Sequence, residues 1–157
     1  KEFCGFIFIP FKLNNYDRYL SRFNDFLKSS HKEEINNLKI RIHPLNKSSK
    51  IHHDFANQLK KIIKKNKKKF GNKNKNLSFF FGSATGVSIQ ALEEGTEIIH
   101  FPENALLDSF SSNIWKNIKV IQLNKDVFKY KILNKGKIFY TNHEKNKFKK
   151  YILPLLN

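Results

Sequence analysis

Cysteine is almost absent from this chain. Cys4 is the only one, which excludes an internal disulfide and a multi-cysteine zinc site and points to a reducing, cytoplasmic compartment. Methionine is missing altogether, and the chain opens on Lys1-Glu2-Phe3, directly inside a strand-like run. It therefore reads as a fragment, one domain over residues 1–157 taken from something longer. Arginine is scarce, since only Arg18, Arg22 and Arg41 stand against 27 lysines. With 6 glycines and 4 prolines, collagen-like and Pro/Gly-rich disordered classes are excluded. No apolar run approaches the roughly 20 residues that span a bilayer. Missing too are a Walker A loop, a Gly-x-Gly-x-x-Gly turn and a readable Ser-His-Asp set.

What is present is a basic chain with room for a core. Lys plus Arg number 30 and Asp plus Glu 13, a formal charge of +17, and 39% of residues are hydrophobic. Richness in Lys, Asn, Ile and Phe is also what an AT-rich genome produces, so charge alone selects no partner.

Apolar β-prone runs alternate with helical spacings. Phe3-Cys4-Gly5-Phe6-Ile7-Phe8-Ile9 is a strand stopped by Pro10. Tyr16, Tyr19, Leu20, Phe23 and Leu27 follow at helical spacing. Leu38-Lys39-Ile40-Arg41-Ile42 is a second strand, and Ile51, Phe55, Leu59, Ile62 and Ile63 mark a second helix that runs on into Lys64-Lys65-Asn66-Lys67-Lys68-Lys69. Residues 77–81 form a third strand, Val87, Ala91 and Leu92 a short helix, and residues 97–101 a fourth strand. Leu107, Phe110 and Ile114 predict a helix, and residues 118–123 a fifth strand. Residues 127–140 read as a hairpin around Asn134-Lys135-Gly136-Lys137, and Phe148, Tyr151, Ile152 and Leu155 as a closing helix. Strands apolar on both faces and separated by helices predict an α/β fold. The expected form is a Rossmann-like open, mostly parallel sheet with helices on both faces, plus the C-terminal hairpin and helix.

Ligands of such sheets bind outside the carboxyl ends of the strands. The least ordinary residues fall there: Pro10-Phe11-Lys12, Arg41-Ile42-His43-Pro44, Gly82-Ser83-Ala84-Thr85-Gly86 and His100-Phe101-Pro102-Glu103. Gly82, Ser83, Thr85 and Gly86 offer a tight turn, two hydroxyls and a helix start, a combination that suits a phosphate. The same residues also serve as an ordinary N-cap and glycine turn. His43, its backbone fixed by Pro44, is placed to donate to a phosphate oxygen. Lys47-Ser48-Ser49-Lys50 adds a loop of donors, with Ser48 and Ser49 as further candidates. Lys12, Arg41, His100 and Glu103 complete the candidates, His100 being equally readable as a satisfied core histidine. His52-His53-Asp54 is rejected as a metal site, because neighbours on a helix diverge by about 100°.

The stretch Phe79-Phe80-Phe81-Gly82-Ser83-Ala84-Thr85-Gly86-Val87-Ser88-Ile89-Gln90-Ala91-Leu92-Glu93-Glu94-Gly95-Thr96-Glu97-Ile98-Ile99 resembles the strand, serine loop, helix, glycine, strand unit in the C-terminal half of GT-B glycosyltransferases. Arg41-Ile42-His43-Pro44 resembles the His-Pro motif of GT-B sialyltransferases and related capsule enzymes that use CMP-linked or CDP-linked donors. The resemblance implies an inverting transferase that closes two Rossmann-like halves on a nucleotide-sugar donor, with a glycan or lipid-linked acceptor. His43 would act on the leaving phosphate beside Ser83 and Thr85. No metal and no cofactor are implied, and the general base would come from the other half. Ala84 separates the two hydroxyls that the family places side by side. Gln90 stands where the family's helix often carries an acidic residue, and the retaining pair of Glu separated by seven residues is missing. A lysine-rich face would suit an anionic membrane surface, at the inner side of the membrane, and co-sedimentation with anionic liposomes that fails to rise with anionic lipid would contradict it. Two other classes fit the composition. One is a basic nucleic-acid-binding α/β module, which the scarcity of Arg and the core-like placement of the aromatics argue against. The other is part of a sugar-nucleotide epimerase.

Overall fold

The computed structural model describes residues 5–29, 38–66, 77–83, 86–104, 109–112 and 114–134. The elements follow in the order β1 (Phe6–Phe8), α1 (Tyr16–Lys28), β2 (Lys39–Arg41), a 3-10 turn (Pro44–Asn46), α2 (Lys50–Asn66), β3 (Leu77–Phe81), α3 (Gly86–Glu93), β4 (Glu97–Phe101), β5 (Ile118–Asn124) and β6 (Val127–Ile132). The strands form one open, mixed six-stranded sheet in the order β2-β1-β3-β4-β6-β5. β1 to β4 are parallel, while β6 lies antiparallel to both β4 and β5.

Apolar spacing explains the packing. Tyr19, Phe23, Phe26 and Leu27 fall on one stripe of α1, and Phe55, Ala56 and Leu59 on one stripe of α2. Those stripes join Ile7, Phe79, Phe81, Ile99 and Phe101 in one cluster. Side chains alternate along a strand, so Phe80 and Ile98 enter a second cluster with Leu92 of α3, Phe110, Ile118 and Tyr130. β3, flanked by parallel neighbours, is buried at all five positions, as expected of a strand covered on two sides.

Two expectations change. Residues 118–123 run in the direction of β1–β4 but do not pair with them, because β6 inserts antiparallel between β4 and β5. β5 and β6 form a hairpin that the sequence does not announce; β6 is the first strand of the hairpin expected over residues 127–140, and residues 135–140 lie outside the described residues. The helix expected on Leu107, Phe110 and Ile114 is not present at residues 109–112. Phe110 packs edge-on against Trp115 and Tyr130 instead. The closing helix on Phe148, Tyr151, Ile152 and Leu155, and the lysines from 67 onward, lie outside the described residues.

Candidate functional site at the strand ends

β1 pairs with β2 on one side and β3 on the other. The chain thus builds outward from β1 in one direction, then crosses back to build in the other. Such a reversal leaves a crevice at the carboxyl ends of the two strands, where ligands of open α/β sheets bind. A cleft of about 790 Å³ opens there, lined by residues 9–12, 41–44 and 82–83, Lys47, Val87 and Glu103. Of the candidates, Lys12, Arg41, His43, Pro44, Gly82, Ser83 and Glu103 converge on this one space. Lys12, Arg41 and Lys47 face a single lining carboxylate, which makes the cleft a favourable place for an anion.

His43 caps the 3-10 turn that Pro44 opens. Its Nδ1 accepts the Leu45 N–H at 3.3 Å, and its exposed ring meets Phe11 edge-on at 5.2 Å. An accepting Nδ1 leaves the hydrogen of the neutral ring on Nε2, the correct tautomer for a donor. Arg41 is held over the Phe6 ring, 4.7 Å from its centroid, a cation–π contact that fixes the guanidinium beside the cleft.

The wall opposite depends on a residue whose role the sequence did not reveal. His52 of α2 is buried, and its Nε2 lies 3.2 Å from the Pro10 carbonyl and 3.1 Å from that of Phe11. Asn46 Nδ2 lies 3.0 Å from the same Nε2, and Ser49 Oγ lies 2.7 Å from Nδ1. Asn46 Nδ2 also donates to the Phe11 carbonyl at 2.7 Å. The loop after β1 is thereby tied to the start of α2. Its one sequence signal is a histidine on the apolar stripe of a helix, at the spacing of Phe55 and Ala56.

β3 leaves the sheet at Gly82, which adopts φ +85°, a region that favours glycine. β4 holds both backbone groups of this residue. Its N–H donates to the Phe101 carbonyl at 2.9 Å, and its own carbonyl lies 2.6 Å from His100 Nε2. His100 is 1% exposed. It does not line the cleft, contrary to its expected place at the rim, because the alternation of β4 turns its ring into the interior. Its Nδ1 lies 3.1 Å from Tyr130 Oη, and the Phe110 N–H donates to the same oxygen at 3.2 Å. Burial pushes the Tyr130 phenol well above its ordinary pKa, so the phenol keeps its proton. In the neutral ring the pattern is self-consistent: Phe110 donates to Tyr130, Tyr130 to His100, and His100 to Gly82.

Glu103 closes the far edge. Its Oε1 accepts from Asn15 Nδ2 at 2.6 Å. Arg22 donates to the Pro102 carbonyl at 2.8 Å and pairs with Asp126 of the β5–β6 turn at 2.5 Å. Arg18 reaches the same carboxylate at 3.4 Å. Burial lowers the Arg22 guanidinium from its ordinary value despite Asp126 beside it, though it remains charged.

The other candidates fall elsewhere. Ser49 is taken up by His52, Ser48 is exposed outside the cleft lining, and Gly86 opens α3 at an exposed position without lining the cleft. Thr85 lies outside the described residues. Among the described residues no cluster of His, Cys, Asp or Glu has the makings of a metal site, and no helix is long and apolar enough to cross a membrane. No family model, no curated protein and no solved structure matches this chain.

Proposed function

We propose that this chain is the donor-binding half of an inverting, nucleotide-sugar-dependent glycosyltransferase of the GT-B type, acting with a CMP-linked donor in surface-polysaccharide synthesis. The observation that carries the reading is that His43 and Ser83 line one cleft at the reversal point of the sheet. The two lie far apart in the chain and come from different strands. A Rossmann-like reading of the sheet, with helices on both faces, is supported by the two clusters that take alternate residues of β3 and β4. The nucleic-acid alternative draws less support, because the largest buried side chains include Tyr19, Phe23, Phe26, Phe55, Phe79 and Phe101, which removes those rings from any base-stacking surface.

Chemistry follows from the lining. When the bond from the sugar carbon to the donor phosphate breaks, its electron pair moves onto phosphate oxygen. His43 Nε2–H and the Ser83 hydroxyl donate to that oxygen, and Lys12, Arg41 and Lys47 supply positive field around it. The attacking hydroxyl gives its proton to a base in the second half of the enzyme. Isothermal calorimetry with CMP, CDP, UDP and GDP tests the reading. Binding of CMP in the micromolar to low-millimolar range is expected, and no heat with any of the four contradicts it.

A further inference from the structure

α1 and α2 both pack on one face of the sheet. Among the described residues only α3 covers the other face, over Phe80 of β3 and Ile98 of β4. Paired residues share a face, so Phe8 of β1 stands on that second face beside Phe80, with Arg41 of β2 on its other side. The space between β1 and α3 is left as a groove of about 410 Å³, lined by Phe6, Phe8, Ser78, Val87, Gln90 and Glu94 among others. Phe6, Phe8 and Val87 also line the cleft at the strand ends, so the groove and the cleft adjoin. Along this joint space the surfaces change in order. His43, Lys12 and Lys47 lie at the rim. Phe8 comes next, two residues before Pro10 and so about 7 Å down the strand. Its ring is half-buried and stacks on Phe80 with centroids 4.4 Å apart, which holds it in place. Val87, in the first turn of α3, leaves 46% of its surface exposed. Polar groups return at the far end, where Gln90 donates to Glu94 at 3.1 Å. A cationic end, a flat apolar middle and a polar far end match a nucleotide: its phosphate, then, one ribose away, the face of its base, then the hydrogen-bonding edge of that base. A hydrocarbon chain would run into the polar end.

We propose that the nucleoside of the phosphate ligand lies in the groove between β1 and α3, with its base against the Phe8 ring and Val87 on the facing wall. The proposal rests on reading the cleft as a phosphate site. It makes Phe8 the residue that separates a nucleotide from a bare sugar phosphate. An aromatic ring fixed in advance gains contact with a base at little ordering cost.

The test is calorimetry with CMP and with ribose 5-phosphate, which lacks the base, on the unaltered protein and on Phe8→Leu. CMP is expected to bind the unaltered protein about 10-fold or more tightly than ribose 5-phosphate. Phe8→Leu keeps an apolar side chain and loses the ring. It is expected to weaken CMP about 5-fold or more and ribose 5-phosphate less than about 2-fold, the loss of one base–aromatic contact. Nuclear Overhauser effects from the cytosine ring protons to the Phe8 ring and the Val87 methyls are expected in the unaltered protein, and they read the contact even if Phe8→Leu fails to fold. Equal weakening of the two ligands in Phe8→Leu, no weakening of CMP, or no Overhauser effect between the base and Phe8 overturns the proposal. Ribose 5-phosphate bound as tightly as CMP overturns it too and leaves the phosphate site standing, whereas no binding of either ligand overturns the donor-site reading and the proposal together.

Discussion

Alanine at Gly5 is expected to cost about 3 kcal/mol or more of folding stability, a large share of the reserve of a typical domain. Gly5 leads into β1 with φ +148°, a conformation that side-chain-bearing residues rarely adopt. Its carbonyl also accepts the Lys39 N–H at 3.1 Å, the first link between β1 and β2. A Cβ built at this position would lie 1.6 Å from the carbonyl oxygen of Leu77 and 2.6 Å from its carbonyl carbon. Those atoms belong to β3, so no side-chain rotation relieves the overlap. β1 and β3 would have to separate at their amino ends, the edge of the sheet opposite the cleft. Urea unfolding of Gly5→Ala checks this, and a loss below about 1 kcal/mol would contradict it.

Phe23→Ala carries the other large effect, an expected loss of about 3–5 kcal/mol. Phe23 is fully enclosed and meets Phe79, Phe81 and Phe101 edge-on at 5.7, 5.8 and 5.8 Å. Truncation removes the transfer energy of the ring, opens a cavity under three rings of β3 and β4, and deletes three edge-to-face contacts. Against a typical domain stability of about 5–15 kcal/mol, this leaves little reserve. Phe23→Leu keeps much of the volume, and its expected loss is about 1–2 kcal/mol. Thermal or denaturant unfolding separates the two, and equal, small losses would show that α1 does not pack on the sheet as described.

Much of the fold could be read from residue order alone, for physical reasons that differ between elements. The run Leu77-Ser78-Phe79-Phe80-Phe81 is apolar on both faces because both faces are covered, and the spacing of Tyr19, Phe23 and Leu27 has one packing solution. The insertion of β6 between β4 and β5 was not readable, because the β5–β6 turn, Lys125-Asp126, carries no glycine and neither an Asn-Gly nor an Asp-Gly pair. Around Phe110 the apolar spacing reads as a helix, yet the ring packs on Trp115 and Tyr130 from non-helical chain at residues 109–112.

The site divides in the same way. Strand ends follow from Pro10, Pro44 and Gly82, so the residues at the cleft were found by position. Which histidine faces outward depends on parity and register. His43 follows β2 into an exposed turn, whereas His100 sits inside β4 opposite Phe128 and points into the core. His52 illustrates the other limit. A histidine on an apolar stripe looks like any core residue until the carbonyls it meets, of Pro10 and Phe11, are placed beside it.

The central claim is that His43 and Ser83 grip the phosphate of one ligand together. CMP calorimetry on His43→Ala and Ser83→Ala tests it most directly, because both side chains are exposed at the cleft and neither belongs to the buried clusters. Each substitution is expected to weaken CMP about 10-fold or more with the melting temperature little changed. CMP affinity that is the same in both variants as in the unaltered protein would contradict the account.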